Sequence, residues 1–151
     1  RWPLLVHGED ARDALLRRFR ESGRALLLGT ASFWEGVDVP GDALRGLMIA
    51  KLPFRVPTDP LTAAQCEAIA DRGGDPFFEY MLPNAALRLK QGFGRLVRSQ
   101  TDRGVVVLCD PRVITKAYGE SILATLPPAT RVIDSWARAR AAVNDFYRRN
   151  G

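Results

Sequence analysis

Four short aliphatic runs govern what this chain can become: residues 2–6 (WPLLV), 25–28 (ALLL), 47–50 (LMIA) and 105–109 (VVVLC). None alternates apolar with polar residues, so none reads as a strand with one wet face. Unbroken runs of this length, separated by longer stretches of helical periodicity, predict a parallel sheet covered by helices on both faces. Residues 9–21 place Ala11, Leu15, Leu16 and Phe19 at helical spacing among charges and end near Ser22-Gly23. Further helical patterns cover 59–71, 77–80, 83–97 and 113–124, and Pro127-Pro128 sets apart a last one at 133–148. The fold class is α/β, with residues 1–128 as the main domain and 129–151 as a helical tail.

Composition excludes several classes. A chain of 151 residues with 46% hydrophobic content suits one domain with a buried core, not a disordered segment. No apolar run approaches the roughly 20 residues of a membrane span, and no secretory signal precedes Arg1-Trp2-Pro3-Leu4. The missing initiator Met leads us to expect a processed or excised segment. Cys66 and Cys109 stand far apart without a CxxC or a nearby His, which argues against a metal site and fits two reduced thiols in a cytoplasmic protein. The net charge of +5 points toward a polyanion, although arginine richness alone is a weak signal.

The candidate site follows from the strand ends. In an open parallel sheet, ligands bind where strands reach their carboxyl ends. Three Gly/Pro-rigidified loops leave such ends: residues 29–41 (GTASFWEGVDVPG), 52–60 (LPFRVPTDP) and 110–112 (DPR). A second constellation lies in residues 89–99 (LKQGFGRLVRS). At about 100° per residue, Gly94, Arg95 and Arg98 fall within about 60° of Gln91, while Leu89, Phe93 and Leu96 take the opposite side. One face should pack on the sheet; the other aligns an amide, a glycine and two guanidiniums suited to phosphate oxygens. Gly94 costs about 0.8–1 kcal/mol against alanine, a cost explained if a ligand or another backbone comes close. On spacing alone, though, the arginines read more readily as a solvated face, and Phe33-Trp34 as core packing.

The combination resembles a known family. GTASFWEGVDVPG is similar to motif V, and QGFGRLVRS to motif VI (QxxGRxxR), of superfamily 2 helicases. The SFWEGVD form, with IAKLPFRVPTDP and the DRG-strand-DPR ending, resembles the DinG/XPD branch of DNA helicases over roughly residues 6–126. The resemblance implies the second RecA-like motor domain. It implies that Gln91, Arg95 and Arg98 face ATP held mainly by the first motor domain, with Arg95 or Arg98 as arginine finger. Glu35, Gly36, Asp38 and Gly94 would contact or couple to the nucleotide, Asp38 through the ribose or a motif VI arginine. Thr30, Ser32, Trp34, Lys51, Phe54 and Arg55 would meet single-stranded DNA, with stacking limited to Phe33, Trp34 or Phe54.

The sequence has no GxxxxGK[ST] phosphate loop and no DEAH-like acidic box. ATP and Mg²⁺ are therefore expected to sit mainly on the first RecA-like domain of the same polypeptide, and this chain alone to be inactive. An iron–sulfur cluster, where the family has one, would lie upstream; Cys66 and Cys109 do not match it. The motif IV strand and helix should precede Arg1, making this an incomplete second motor domain. The expected protein is a monomeric, cytoplasmic, nucleoid-associated helicase moving 5′ to 3′ by resemblance. Two alternatives stand beside it: the motor of a helicase–exonuclease fusion, and a nucleic-acid-binding module without turnover.

Overall fold

The computed structural model describes residues 2–30, 33, 39, 43–96 and 103–150. The chain runs β1 (Leu4–Val6), α1 (Arg12–Ser22), β2 (Leu26–Leu28), β3 (Gly46–Ile49), α2 (Pro60–Asp71), a π-helical turn (Phe77–Met81), α3 (Leu82–Leu96), β4 (Val105–Leu108), α4 (Arg112–Thr115), α5 (Gly119–Ala124) and α6 (Trp136–Asn150). All four predicted strands form, and all pair in parallel. Among the described residues they form two sheets instead of one. β1 pairs with β2 with Leu5 opposite Leu27, and β3 pairs with β4 with Met48 opposite Val107.

Coverage also differs from expectation. Leu5 is buried against Leu15, Leu16 and Phe19 of α1, together with Phe33 and Val39. The alternate residues Leu4, Leu26 and Leu28 stay about half exposed, and Met48 is 61% exposed. Successive strand side chains point to opposite faces. An aliphatic residue at every position therefore prepares both faces for burial, and the described residues cover mainly one.

The second core is built by α3. Ile49, Leu52, Ala86, Leu89 and Ile122 form its buried cluster, with Leu47, Val106 and Leu108 packed alongside. Leu89 is fully buried and Leu96 nearly so, whereas Gln91 and Gly94 are exposed. For its described residues, α3 presents the two faces that its periodicity predicts. Asp59 caps α2: its carboxylate accepts the Thr62 N–H at 3.0 Å and the Thr62 hydroxyl at 2.8 Å, and Pro60 follows at the first helical position.

The single helix expected at 113–124 is broken. Lys116 is extended between α4 and α5, and the Gly119 N–H donates to the Lys116 carbonyl at 2.9 Å. A Cβ on Gly119 would collide with the Val113 carbonyl oxygen, so a glycine that a helix merely tolerates is here required by a tight return of the backbone. The terminal helix α6 buries no residue; Tyr147 donates from its hydroxyl to the Arg45 carbonyl, and Arg103 donates to Asn150 at 2.5 Å.

Because Leu89 is wholly enclosed, Leu89→Ala should destabilise the fold by about 2–5 kcal/mol, as transfer loss plus residual cavity. A fall in the urea midpoint with an unchanged slope is the expected result.

Candidate nucleotide and nucleic-acid site

Two clusters of polar groups sit at strand ends, and a third on α3. At the ends of β1 and β2, His7 Nδ1 and Thr30 Oγ1 hydrogen-bond at 3.2 Å. The Phe33 N–H donates to the Thr30 carbonyl at 2.9 Å, closing a turn. A Cβ on Gly29 would stand only 3.0 Å from Phe33 Cβ, so this glycine lets the ring fold back into the core. Phe33 is 5% exposed, with the His7 ring edge-on at 4.8 Å. The stacking role considered for Phe33 is thereby corrected: its faces are spent on packing. His7 carries no expected role, yet its ring holds the exposed Thr30 hydroxyl.

At the ends of β3 and β4, a buried carboxylate organises the chain. Asp110 Oδ2 accepts the Leu52 N–H at 2.8 Å, and Oδ1 accepts the Arg112 N–H at 3.0 Å. The Arg112 guanidinium grips the same carboxylate through Nε at 3.0 and 3.1 Å and Nη2 at 2.6 Å. It also lies 5.1 Å from the Phe54 ring centroid. Phe54 in turn stacks on Phe77 at 5.8 Å and meets Tyr118 edge-on at 6.1 Å. Its ring is half-buried and largely engaged within the protein, which limits what it can offer a nucleic-acid base. Lys51 is exposed; Arg55 is half-buried, and its Nε is buried with no hydrogen-bond partner among the described residues. An open depression of about 470 Å³ lies here, lined by Ala50, Lys51, Cys109, Asp110, Pro111 and Arg112.

Electrostatics follow this geometry. Hydrogen bonds from the Arg112 side chain, opposed by burial and reinforced by the Leu52 and Arg112 N–H groups, hold the Asp110 carboxyl well below the usual carboxylate range. The same partner raises Arg112. Asp59 is also lowered, first by the Thr62 N–H, then by its hydroxyl, with Arg55 adding a smaller effect.

On α3, Gln91 and Gly94 are exposed and Arg95 is half-buried. No described residue lies within 4 Å of a Cβ built on Gly94, so none of them demands glycine there. The Nε of Arg95 is buried without a hydrogen-bond partner among the described residues. A buried donor without an acceptor is uncommon in a folded chain. It fits an acceptor brought by another molecule or domain, and a phosphate oxygen suits a guanidinium edge.

Gln91, Gly94 and Arg95 thus share one side of α3, and Lys51, Phe54 and Arg55 share the β3 end; among the described residues no hydrogen bond joins Thr30 to either group. Ser32, Trp34, Glu35, Gly36, Asp38 and Arg98 lie outside the described residues. Sequence reasoning placed residues 110–112 on the candidate rim and in the family resemblance but gave Asp110 and Arg112 no individual role. The available signal was DPR directly after a strand, where an acid two residues before an arginine can fork back onto it. Among the described residues, no group of three or more His, Cys, Asp or Glu side chains could hold a metal ion, and no helix is long and apolar enough to cross a membrane.

A family model described as "Helicase C-terminal domain" matches residues 1–129. The chain is 53% identical over 132 residues to "ATP-dependent DNA helicase YoaA" of Escherichia coli, covering 87% of this chain and 21% of that protein. It is 42% identical over 146 residues to "ATP-dependent helicase DinG" of Mycobacterium tuberculosis, covering 97% of this chain and 22% of that protein. It is 49% identical over 113 residues to "3'-5' exonuclease DinG" of Bacillus subtilis, covering 75% of this chain and 12% of that protein. The chain therefore spans about a fifth or less of the length of these relatives.

The depressed Asp110 carboxyl gives a pH signature. Its stabilisation is complete above the unfolded carboxyl's value of about 4 and is lost as the pH falls toward the lower native value. Asp110→Asn should be less stable at pH 7 by about 1–3 kcal/mol, and its deficit should shrink on acidification. Urea midpoints of both proteins across pH 7 to 3 check this.

Proposed function

The chain belongs to the helicase C-terminal domain family, as the C-terminal domain of a DinG-type helicase, and from that premise we propose how it works. It is the second RecA-like motor domain of an enzyme that hydrolyses ATP to move along single-stranded DNA, 5′ to 3′. Residues 1–128 form the motor domain and 129–151 a tail, a division supported by a family match ending at 129 and by an α6 without buried residues. The protein acts as a monomer in the cytoplasm, near the nucleoid.

One observation carries the reading: Arg95 stands half-buried on the polar side of α3, with a buried Nε that no described residue accepts and no described residue crowding Gly94 beside it. A phosphate of ATP presented by the first motor domain would supply that acceptor. Negative charge building on the transferring phosphoryl oxygens strengthens a guanidinium contact, which lowers the barrier more than it tightens ground-state binding. Gln91 shares this side and would orient the phosphate group or the attacking water. Arg98, Glu35, Gly36 and Asp38 complete the motif V and VI set by resemblance. Mg²⁺ would be held with the nucleotide mainly by the first motor domain, and an iron–sulfur cluster, where the full-length protein has one, would lie upstream of this chain.

On the DNA side, Lys51 and Arg55 at the β3 end and Thr30 and Ser32 after β2 meet the phosphate backbone, with Trp34 as a stacking surface. Phe54 supports this segment from within its aromatic cluster. A motor stepping over any sequence needs backbone contacts without base readout.

A second reading has its own support. The Bacillus subtilis relative is named a 3'-5' exonuclease, so the same motor domain can belong to a protein with a nuclease name. A binding module without turnover is disfavoured by the retained Gln91, Arg95 and Arg98.

In the full-length protein, Arg95→Ala should lower kcat for DNA-stimulated ATP hydrolysis by about 10³-fold or more. Arg95→Lys should recover little of it, and DNA affinity should barely change. Near-normal ATPase in both variants would mean that α3 presents only a solvated face.

DNA binding by the full-length protein should be indifferent to sequence. Its logarithm should fall with the logarithm of salt by about 0.7 per phosphate contact. This chain alone should release no phosphate from ATP with DNA present; turnover near about 1 s⁻¹ would contradict a site shared between domains.

A further inference from the structure

The segment that follows β3 is neither helix nor strand, yet its placement is tightly specified. The Leu52 N–H, in a buried setting, donates to a carboxylate 58 residues away in sequence. The Phe54 N–H donates to the Leu52 carbonyl at 2.8 Å, tightening the backbone between them. The Phe54 ring is held by the Arg112 guanidinium, Phe77 and Tyr118. Arg112 is itself fixed, because its Nε and Nη2 both bind the Asp110 carboxylate. One acid–base pair thus fixes the segment twice, through its backbone at Leu52 and through its side chain at Phe54.

The two cations read as DNA contacts flank this anchored stretch: exposed Lys51 precedes Leu52, and half-buried Arg55 follows Phe54. We propose that Asp110 and Arg112 are positioning residues for single-stranded DNA binding, a clamp seated on the buried Asp110 carboxylate that holds in place the segment carrying Lys51 and Arg55. The inference rests on the DNA-side reading above and adds to it the device that makes the grip rigid. The clamp is a neutral pair, so it adds little long-range attraction for a polyanion, and its effect on DNA runs through geometry. Holding the segment in its bound shape beforehand removes an ordering cost that binding would otherwise carry. Arginine suits this role better than lysine, since the planar fork can satisfy a carboxylate edge-on while its face lies against a ring.

The test is a mutant cycle in the full-length helicase, using oligo-dT for binding and for stimulation of ATP hydrolysis. Asp110→Asn retains an acceptor for the Leu52 N–H but weakens the hold on Arg112. Arg112→Lys retains charge but loses the fork and the flat face. Each should weaken oligo-dT binding about three- to tenfold and raise the DNA concentration for half-maximal ATPase in parallel. The kcat at saturating DNA should stay within about twofold of wild type. In a Lys51→Ala/Arg55→Ala background, the same substitutions should add nothing, because groups acting through one another are not additive.

A loss of affinity that persists undiminished in that background overturns the positioning role, as does no loss at all. If Lys51→Ala/Arg55→Ala itself leaves oligo-dT binding unchanged, the DNA-side reading fails and the clamp's role in DNA binding fails with it. Should Asp110→Asn not fold, Arg112→Lys carries the cycle by itself. Full wild-type affinity in Arg112→Lys would show that charge pairing suffices and that the geometric clamp is wrong.

Discussion

The Asp110 carboxylate is the point on which the second half of the fold depends. It is 5% exposed and formally charged, a combination that costs several kcal/mol unless every lone pair finds a donor. The chain meets that demand with two backbone N–H groups and a forked guanidinium. The consequence is spatial. β4 ends where its next residues must turn to wrap Asp110, and the chain leaving β3 must pass close enough to donate from Leu52. Phe54 then falls beneath the Arg112 guanidinium and against Phe77, the first residue of the π-helical turn that runs into α3. A strand-end loop and the helix carrying Arg95 thereby share one packed neighbourhood.

That neighbourhood explains a contrast among the arginines. Arg112 has its partners inside the chain, and its bonds serve architecture. Arg55 and Arg95 each bury an Nε that no described residue accepts. Leaving a buried donor unmet costs on the order of 1–3 kcal/mol. Such a cost is more readily tolerated where a ligand repays it on binding. Under the proposed function, Arg55 would meet a phosphate of DNA and Arg95 one of ATP.

Legibility from sequence followed the range of the interactions. The two faces of α3 were readable because a helix repeats its environment every three to four residues, and Leu89 and Gln91 report opposite sides of it without reference to anything distant. The four strands were readable for the same reason, as unbroken aliphatic runs. Their division into two sheets was not, since an aliphatic run records readiness for burial on both faces and says nothing of which neighbour provides it. Phe33 read as core packing from its type although it lies in a polar loop; what the sequence did not show is that the missing Cβ of Gly29 gives the ring room to return to the core. The break before α5 stayed hidden because Gly119 alone, in a helical pattern, reads as a tolerated defect. The aromatic cluster joins residues 54, 77 and 118, and no local pattern links positions so far apart.

Within the family reading, the buried Asp110 anchor and the cations on either side of the segment it holds would be two parts of one requirement. A motor must grip a backbone whose sequence varies at each step, so the grip has to come from evenly placed charges rather than from shape-matched bases. Long cationic side chains on a loose loop would lose rotamer and backbone freedom at every engagement and regain it at every release. Anchoring the intervening residues through Asp110 confines that loss to the side chains of Lys51 and Arg55. The same logic applies on α3, where the fully buried Leu89 fixes the helix that carries Arg95. Under the proposed function, contacts to both ligands would be made from rigid supports, and motion would be left to the approach of one domain to the other. A finger that works only when that approach is complete ties hydrolysis to closure, which is the coupling a translocating motor needs.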